Sequence, residues 1–400
     1  MKSVIILIKE IGLSIRYVWH SKFRWLVILV LLWVFRVTAM PADDAGIAKG
    51  LQVVTIMGML LITGKYSNKP LLMGWRKGNS AVRWMMAYLL LGMVSTLWSF
   101  VPQFSFFLSF EKIVLISVSF VALGLFVDFL ALEKFMLLAL TGCMLFEAIV
   151  WRTDAGVTLL THSLTNGTCA AMLLSYSIGE WLVDKIGNRR RIRLFKGICM
   201  LSILVLIGST SGGANASAAL GVAIAFFLSG NIVWALLLMM MVVLLYLNQD
   251  WMDNIIRTLM PGKTETDITT ATGRSFIWER IRLYAAEKPL LGWGYASIER
   301  LISVRDFPLT DAHNNWYGAY GGTGLIGLIL LIMHQISLLF TAFKRKMKPG
   351  YTGLTCALSC ATFNGYSFGY ISGKACTITL FYFIMMVAVV RFEQLLYDHK

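Results

Sequence analysis

The sequence predicts an all-α polytopic membrane protein of about twelve transmembrane helices, with one large external loop that carries amphipathic helices. Three observations predict it. Hydrophobic residues make up 58% of the 400 residues and charged residues only 14%, against about 25% charged in a typical soluble domain. The mean hydropathy is +0.71, more apolar surface than so few charges can keep in water. The apolar residues also fall in runs near the length a helix needs to cross the hydrocarbon layer, about 20 residues.

Those runs place spans near 23–41, 47–64, 82–101, 113–132, 135–150, 158–182, 195–210, 214–230, 232–248, 321–343, 352–372 and 376–392. The fifth is short, and the two flanking Ser211 also read as a broken pair. Met1 to Lys22 does not read as a cleavable leader, because the run after it is long enough to span and no small-residue cleavage site follows. The chain thus divides into an N-terminal bundle of about nine helices at 1–248, an external segment at 249–320, and C-terminal helices with a cytoplasmic tail at 321–400.

The basic residues test this map. The net charge of +15 would suggest a nucleic-acid partner if it were gathered on a soluble surface. Instead it lies in alternate connections. Lys2, Lys9, Arg16 and Lys22 precede the first span; Lys65, Lys69, Arg76 and Lys77 follow the second. Lys185, Arg189, Arg190, Arg191 and Arg193 form the next basic set, and Lys344, Arg345, Lys346 and Lys348 the last. The intervening connections hold Asp43 and Asp44, then Arg152 with Asp154, then Lys374. Short basic loops stay in the cytoplasm, so both termini are expected inside. The charge reads as topology, and no nucleic acid is expected. The six cysteines all sit in apolar runs without metal-like spacing, and are expected as small buried hydrophobes.

By parity the segment 249–320 lies outside. Phe276, Ile277, Ile281 and Tyr284 recur at helical spacing with charges between them, and Pro289 stops the pattern. This predicts an amphipathic helix over 276–288 lying on the outer membrane surface, followed by the turn Gly292-Trp293-Gly294. No phosphate-binding glycine loop or dinucleotide fingerprint occurs, so an ATP-driven pump has no support.

The strongest candidate chemistry is Asp311-Ala312-His313-Asn314-Asn315-Trp316-Tyr317, just before Gly321-Gly322-Thr323-Gly324. A histidine can accept a proton near neutral pH, and Asp311 or an asparagine could fix its tautomer. An interfacial histidine in a polar, aromatic loop would present the same residues without chemistry. Arg274 begins the amphipathic helix, where its guanidinium and the first amides could serve one anion. Arg280 and Arg282 read more simply as charges meeting lipid headgroups. Glu111-Lys112 reads as an interfacial ion pair or a headgroup contact, while Arg36 and Glu147 snorkel. His162 to Thr168 fits either a site or close helix packing; Ser209 to Asn215 fits packing. His334 and His20 read as structural. Trp251, Trp278, Trp293, Trp316 and Tyr317 suit an aromatic belt or sugar stacking.

In order along the chain, Ser95-Thr96-Leu97-Trp98-Ser99 with Pro102, His162 to Asn166, Ser209 to Ser217, and then Thr272-Gly273-Arg274, Trp278, Pro289 to Gly294 and His313-Asn314 resemble the bacterial O-antigen ligase and polymerase family, over roughly 80–345. The resemblance implies a GT-C-like, inverting glycosyltransferase of the inner membrane that needs neither metal nor cofactor. Its donor would be a glycan on undecaprenyl pyrophosphate, used at the periplasmic face. By carry-over His313 is the base that takes the acceptor hydroxyl's proton, Arg274 binds the pyrophosphate, and Asn314 positions His313 or the sugar. One departure stands out: ligases often carry an arginine where this chain reads Ser211-Gly212-Gly213-Ala214. Lys112, Arg152 or Arg280 could supply the second cation. The lack tilts the reading toward a polymerase, which joins lipid-linked repeat units alongside a chain-length regulator. The alternative is a ligase with lipid A-core as acceptor. A transporter or flippase would suit the span count, but the polar residues gather at one face and no related halves appear.

Overall fold

The computed structural model describes residues 24–39, 45–66, 79–124, 126, 128–149, 163–183, 186–209, 211–247, 274–309 and 311–397, and these contain helices and turns without a strand. The helices are α1 (Arg24–Ala39), α2 (Ala45–Tyr66), α3 (Ser80–Val94) with a 3-10 turn at Ser95–Leu97, α4 (Pro102–Gly124), α5 (Phe129–Ile149), α6 (Ser163–Val183), α7 (Arg189–Ser209), α8 (Gly212–Leu228), α9 (Ile232–Leu247), α10 (Arg274–Glu287), α11 (Ile298–Arg305), α12 (Asn315–Lys344), α13 (Tyr351–Asn364) and α14 (Thr377–Tyr397). Each expected span overlaps a described helix, although the fourth, expected at 113–132, is the helix Pro102–Gly124, and seven of the described helices are long and apolar enough to cross a membrane. The described residues are those of a polytopic, all-helical membrane protein.

Local sequence sets the helix starts. Asn79 caps α3 by accepting from the Ala81 amide at 2.9 Å, Asp128 does so for α5 at 2.8 Å, and Asn188 accepts from Arg190 at 2.9 Å ahead of α7. Each satisfies an orphan amide that the first helical turn leaves unpaired. Pro102 opens α4, where its missing N–H costs nothing.

The bundle centres on α6, which packs against α7, α8 and α13, while α3 packs on α12 and α4 on α14. Small residues let these helices meet. A Cβ on Gly221 would strike Ser175 Oγ at 2.1 Å, and one on Gly353 the Tyr176 carbonyl at 2.8 Å. Close approach of this kind drives association where lipid offers no hydrophobic contrast. Arg191 was counted above as a topology charge, yet it is buried. Its guanidinium bonds Glu133 on α5 at 2.5 and 2.8 Å and also Glu180 on α6. Glu180 in turn accepts the amides of Gly350 (3.0 Å) and Gly353 (2.8 Å). Breaking one partner of such a cluster leaves a buried charge, at a cost of about 3–5 kcal/mol.

Other expectations also change. Glu111 and Lys112 were expected at an interface, but α4 begins at Pro102 and buries both. Polar partners explain this. Glu111 accepts from Trp33 Nε1 at 2.8 Å and Gln52 Nε2 at 2.7 Å, and Lys112 donates to the Gly373 carbonyl at 2.5 Å. The span expected at 352–372 stops at Asn364. Residues 365–376 leave the helix, and side chains from other helices bond their backbone, as Asn315 does at Ile371 and Lys112 at Gly373. The span expected to start at 321 begins instead at Asn315.

That helix, α12, is broken at Gly324 (φ 67°, ψ −165°). The turn 289–294 fills the break: the Trp293 and Gly294 amides donate to the carbonyls of Gly321 (3.0 Å) and Gly322 (2.7 Å). The Leu325 amide, freed by the break, donates to Pro289 O at 2.8 Å. The amphipathic helix expected over 276–288 is α10, which packs on α12 and, with α11, encloses Ile281, Ile298, Leu301 and Ile302. Each such side chain contributes about 1.5–3 kcal/mol when withdrawn from water.

A Cβ at Gly324 would fall 2.3 Å from the Leu290 carbonyl, in a conformation that essentially only glycine adopts. Gly324→Ala is therefore expected to destabilise the detergent-solubilised protein by about 2–3 kcal/mol. Gly142→Ala, on open helix surface, should not. Equal thermal midpoints for the two variants would contradict the clasped break.

Candidate active site

The N-terminal end of α12 gathers the residues singled out above. Asn314 is the helix cap: its Oδ1 accepts the amides of Trp316 (2.8 Å) and Tyr317 (3.0 Å), and its Nδ2 donates to Tyr366 O at 3.1 Å. With every polar atom so used, Asn314 positions the chain. His313, just before it, adopts φ 50°, a left-handed conformation that costs a side-chain-bearing residue about 1–2 kcal/mol. Asp311 holds that turn, its Oδ1 accepting the His313 backbone amide at 2.7 Å. The expected carboxylate contact thus falls on the backbone of His313 instead of its ring.

Helix α10 approaches from the other side. Arg274 and Trp278 lie four residues apart and so share a face. Trp278 Nε1 donates to the Ala312 carbonyl at 3.1 Å, and its ring stacks on Tyr317 at 5.6 Å between centroids. Arg274 donates to the Ser367 carbonyl at 2.9 Å. Loop 365–376 forms the third wall: the Asn315 amide donates to Gly365 O (2.8 Å) and Asn315 Oδ1 accepts from Ile371 (2.8 Å). Ser367 also touches the start of α8, where a Cβ on Gly213 would meet its Oγ at 2.3 Å. A side chain at Gly213 would collide there, a physical reason for glycine at this point of the stretch that lacks the family's arginine.

His313 is half-buried and its Nδ1 is buried without a hydrogen-bond partner among the described residues. Burial depresses its pKa below the ordinary histidine value; the Asp311 carboxylate opposes this and the Arg274 guanidinium adds to it. Burial likewise lowers the Arg274 pKa, against the pull of Asp311. The result is a neutral imidazole at physiological pH beside a fixed cation, which suits a group that must accept a proton.

The other predicted residues lie apart. Lys112 is fully buried, braced on Gly373 O with its Nζ 5.2 Å from the centre of the Tyr295 ring. Arg280 faces solvent, 4.0 Å from Asp306 and over the Phe276 ring. Arg152 and His162 fall outside the described residues. Sequence reading missed Glu299 and gave Lys374 only a topological role, although both act electrostatically on this region. Nothing in local spacing marks them, because their neighbours come from distant helices.

Titration of ring-labelled histidine should place His313 below the ordinary value. Asp311→Asn should lower it further, and Arg274→Gln should raise it. A His313 titrating at or above the ordinary value would contradict the described environment.

Comparison with known proteins adds one finding. Residues 197–332, about a third of the chain, match the family model described as O-antigen ligase, which supports assignment to that family. The matched stretch contains Arg274 and His313. No curated protein matches the chain.

Proposed function

We propose that this chain, a membrane glycan-processing enzyme by its O-antigen ligase match, transfers a glycan from a polyprenyl-pyrophosphate carrier to a sugar hydroxyl, and does so as a polymerase of lipid-linked repeat units. The observation that carries the reading is half-buried His313, its Nδ1 without a hydrogen-bond partner among the described residues, in the turn before a broken apolar helix and in the field of Arg274. In the reaction an imidazole nitrogen of His313 takes the proton of the acceptor hydroxyl. The hydroxyl oxygen attacks the anomeric carbon as its bond to the diphosphate breaks, so the configuration inverts. Arg274 meets the charge that gathers on the leaving diphosphate, an electrostatic contribution that is often the largest in catalysis. No metal or cofactor enters this scheme, and Asn314 contributes by fixing the start of α12.

Topology supports the same face for site and substrate. The basic connections assign both termini to the cytoplasm, which puts α10, α11 and the start of α12 at the periplasmic side of the inner membrane. Undecaprenyl tails would occupy the bilayer, and the sugars would meet Trp278, Tyr317 and Trp316 at its surface. A twelve-span, GT-C-like arrangement is part of this reading and counts α1, α6, α8, α9 and α13 as spans beside the seven longer apolar helices. Lys112 is buried and Arg280 lies beside Asp306, which leaves Arg274 as the cation that acts on the proposed base, with Arg152 a candidate for the second. The acceptor is a second lipid-linked repeat in this reading. A ligase acting on lipid A-core uses the same chemistry.

In a deletion strain complemented with His313→Ala, the ladder of polymerised glycan on a polysaccharide gel is expected to disappear, and wild-type complementation should restore it. An intact ladder would refute the assigned base. Loss of capped core lipid with normal polymerisation in the deletion strain would identify a ligase.

A further inference from the structure

Two glycines of the segment 365–376, Gly369 and Gly373, close one turn against the turn that carries His313. The Gly373 amide donates to Gly369 O at 2.9 Å. Neither glycine has a positive φ, so the backbone path alone would admit a side chain at either position. Space excludes one. A Cβ on Gly369 would fall 2.8 Å from Asp311 Oδ1, with the Asn314 backbone nitrogen next at 3.6 Å. A Cβ on Gly373 would fall 2.7 Å from Gly369 O and 3.6 Å from Asp311 Oδ1. The two glycines thus leave a notch beside the Asp311 carboxylate, and the same Oδ1 accepts the His313 backbone amide at 2.7 Å.

The notch is braced from three sides. Lys112 of α4 donates from its Nζ to Gly373 O at 2.5 Å, and the Tyr295 hydroxyl donates to Ile371 O. Asn315 of α12 accepts the amides of Ile371 (2.8 Å) and Ser372 (3.3 Å) on its Oδ1. Asp311 Oδ1, in contrast, is the end of a side chain with rotatable bonds. A methyl group at 369 is therefore relieved most cheaply by moving the carboxylate, and a moved carboxylate gives up the His313 amide.

We propose that the Gly369–Gly373 turn is the seat of Asp311, and that Gly369 is thereby a positioning residue for His313. The proposal rests on the reading of His313 as the proton acceptor. Seated, the carboxylate pins His313 in a left-handed conformation that a side-chain-bearing residue does not hold unaided. Unseated, it lets the imidazole leave the place where it meets the acceptor hydroxyl, and a shift of about 1 Å is enough to slow a reaction severely. Lys112, expected from the sequence to serve the diphosphate, here braces the seat.

Transfer by purified wild type, Gly369→Ala, Asp311→Ala and the double variant tests this. Gly369→Ala is expected to lower kcat about tenfold and to leave KM within about twofold of the wild type. Asp311→Ala should lose about as much by itself. In the double variant the added methyl meets nothing closer than 3.6 Å, so its rate should stay within about twofold of Asp311→Ala. An undiminished rate in Gly369→Ala would overturn the proposal. So would a tenfold loss from Gly369→Ala in both backgrounds, because the damage would then not pass through Asp311. A second readout needs no substrate: in protein carrying isotope-labelled histidine, the His313 backbone amide signal should lie downfield, as an amide bonded to a carboxylate does. Gly369→Ala should move it upfield about as far as Asp311→Ala does, and an unmoved signal would overturn the seat. Were the wild type to transfer no glycan, that signal would still test the seat, so the two readings fail separately.

Discussion

The site depends on a helix that is broken where its backbone can be mended from outside. At Gly324 the path of α12 leaves helical geometry, which frees carbonyls before the break and amides after it. In a membrane protein unpaired backbone groups cost several kcal/mol each, so a break survives only where something satisfies them. Turn 289–294 does this with backbone alone, giving amides to Gly321 and Gly322 and taking one from Leu325. The same turn is pinned from behind, since the Phe100 amide donates to Trp293 O at 2.9 Å and the Tyr295 amide to Ser95 Oγ at 2.9 Å. The clasp sets where α10 and α11 sit, and they in turn place Arg274, Trp278 and Glu299 against the start of α12.

Two settings of buried charge contrast in this protein. Arg191, Glu133 and Glu180 form a closed cluster among α5, α6 and α7, with bonds reaching the start of α13. Around His313 the charges are instead spread over Arg274, Glu299, Asp311 and Lys374 without an ion pair recorded among these four, and buried atoms of His313 and Glu299 lack partners among the described residues. A closed cluster specifies packing, whereas open, partly satisfied groups leave room for protons and substrate oxygens to complete them.

Much of this was legible in the sequence. Apolar runs located every described span because the requirement for length and hydropathy acts on contiguous residues. Arg274, His313 and Asn314 were legible because each lies at the start of a helix or in the turn before one, where local spacing marks it. Other features were not. Glu111 and Lys112 looked interfacial because charge beside an apolar run normally is; their partners Trp33, Gln52 and Gly373 come from α1, α2 and the 365–376 loop. Glu299 drew no reading at all, because nothing in its local spacing marks a carboxylate that the fold buries. The end of α13 at Asn364 was hidden by an apolar composition that continues through Phe368, Tyr370 and Ile371.

The central claim is that a neutral His313 beside Arg274 carries glycan transfer from a lipid diphosphate. The direct test gives purified protein its lipid-linked repeat unit alone and follows both multi-repeat product and released polyprenyl pyrophosphate. The account expects both to appear together and to be lost in His313→Ala. Undiminished product from His313→Ala would contradict the account, and product formed only after lipid A-core is added would contradict its choice of acceptor.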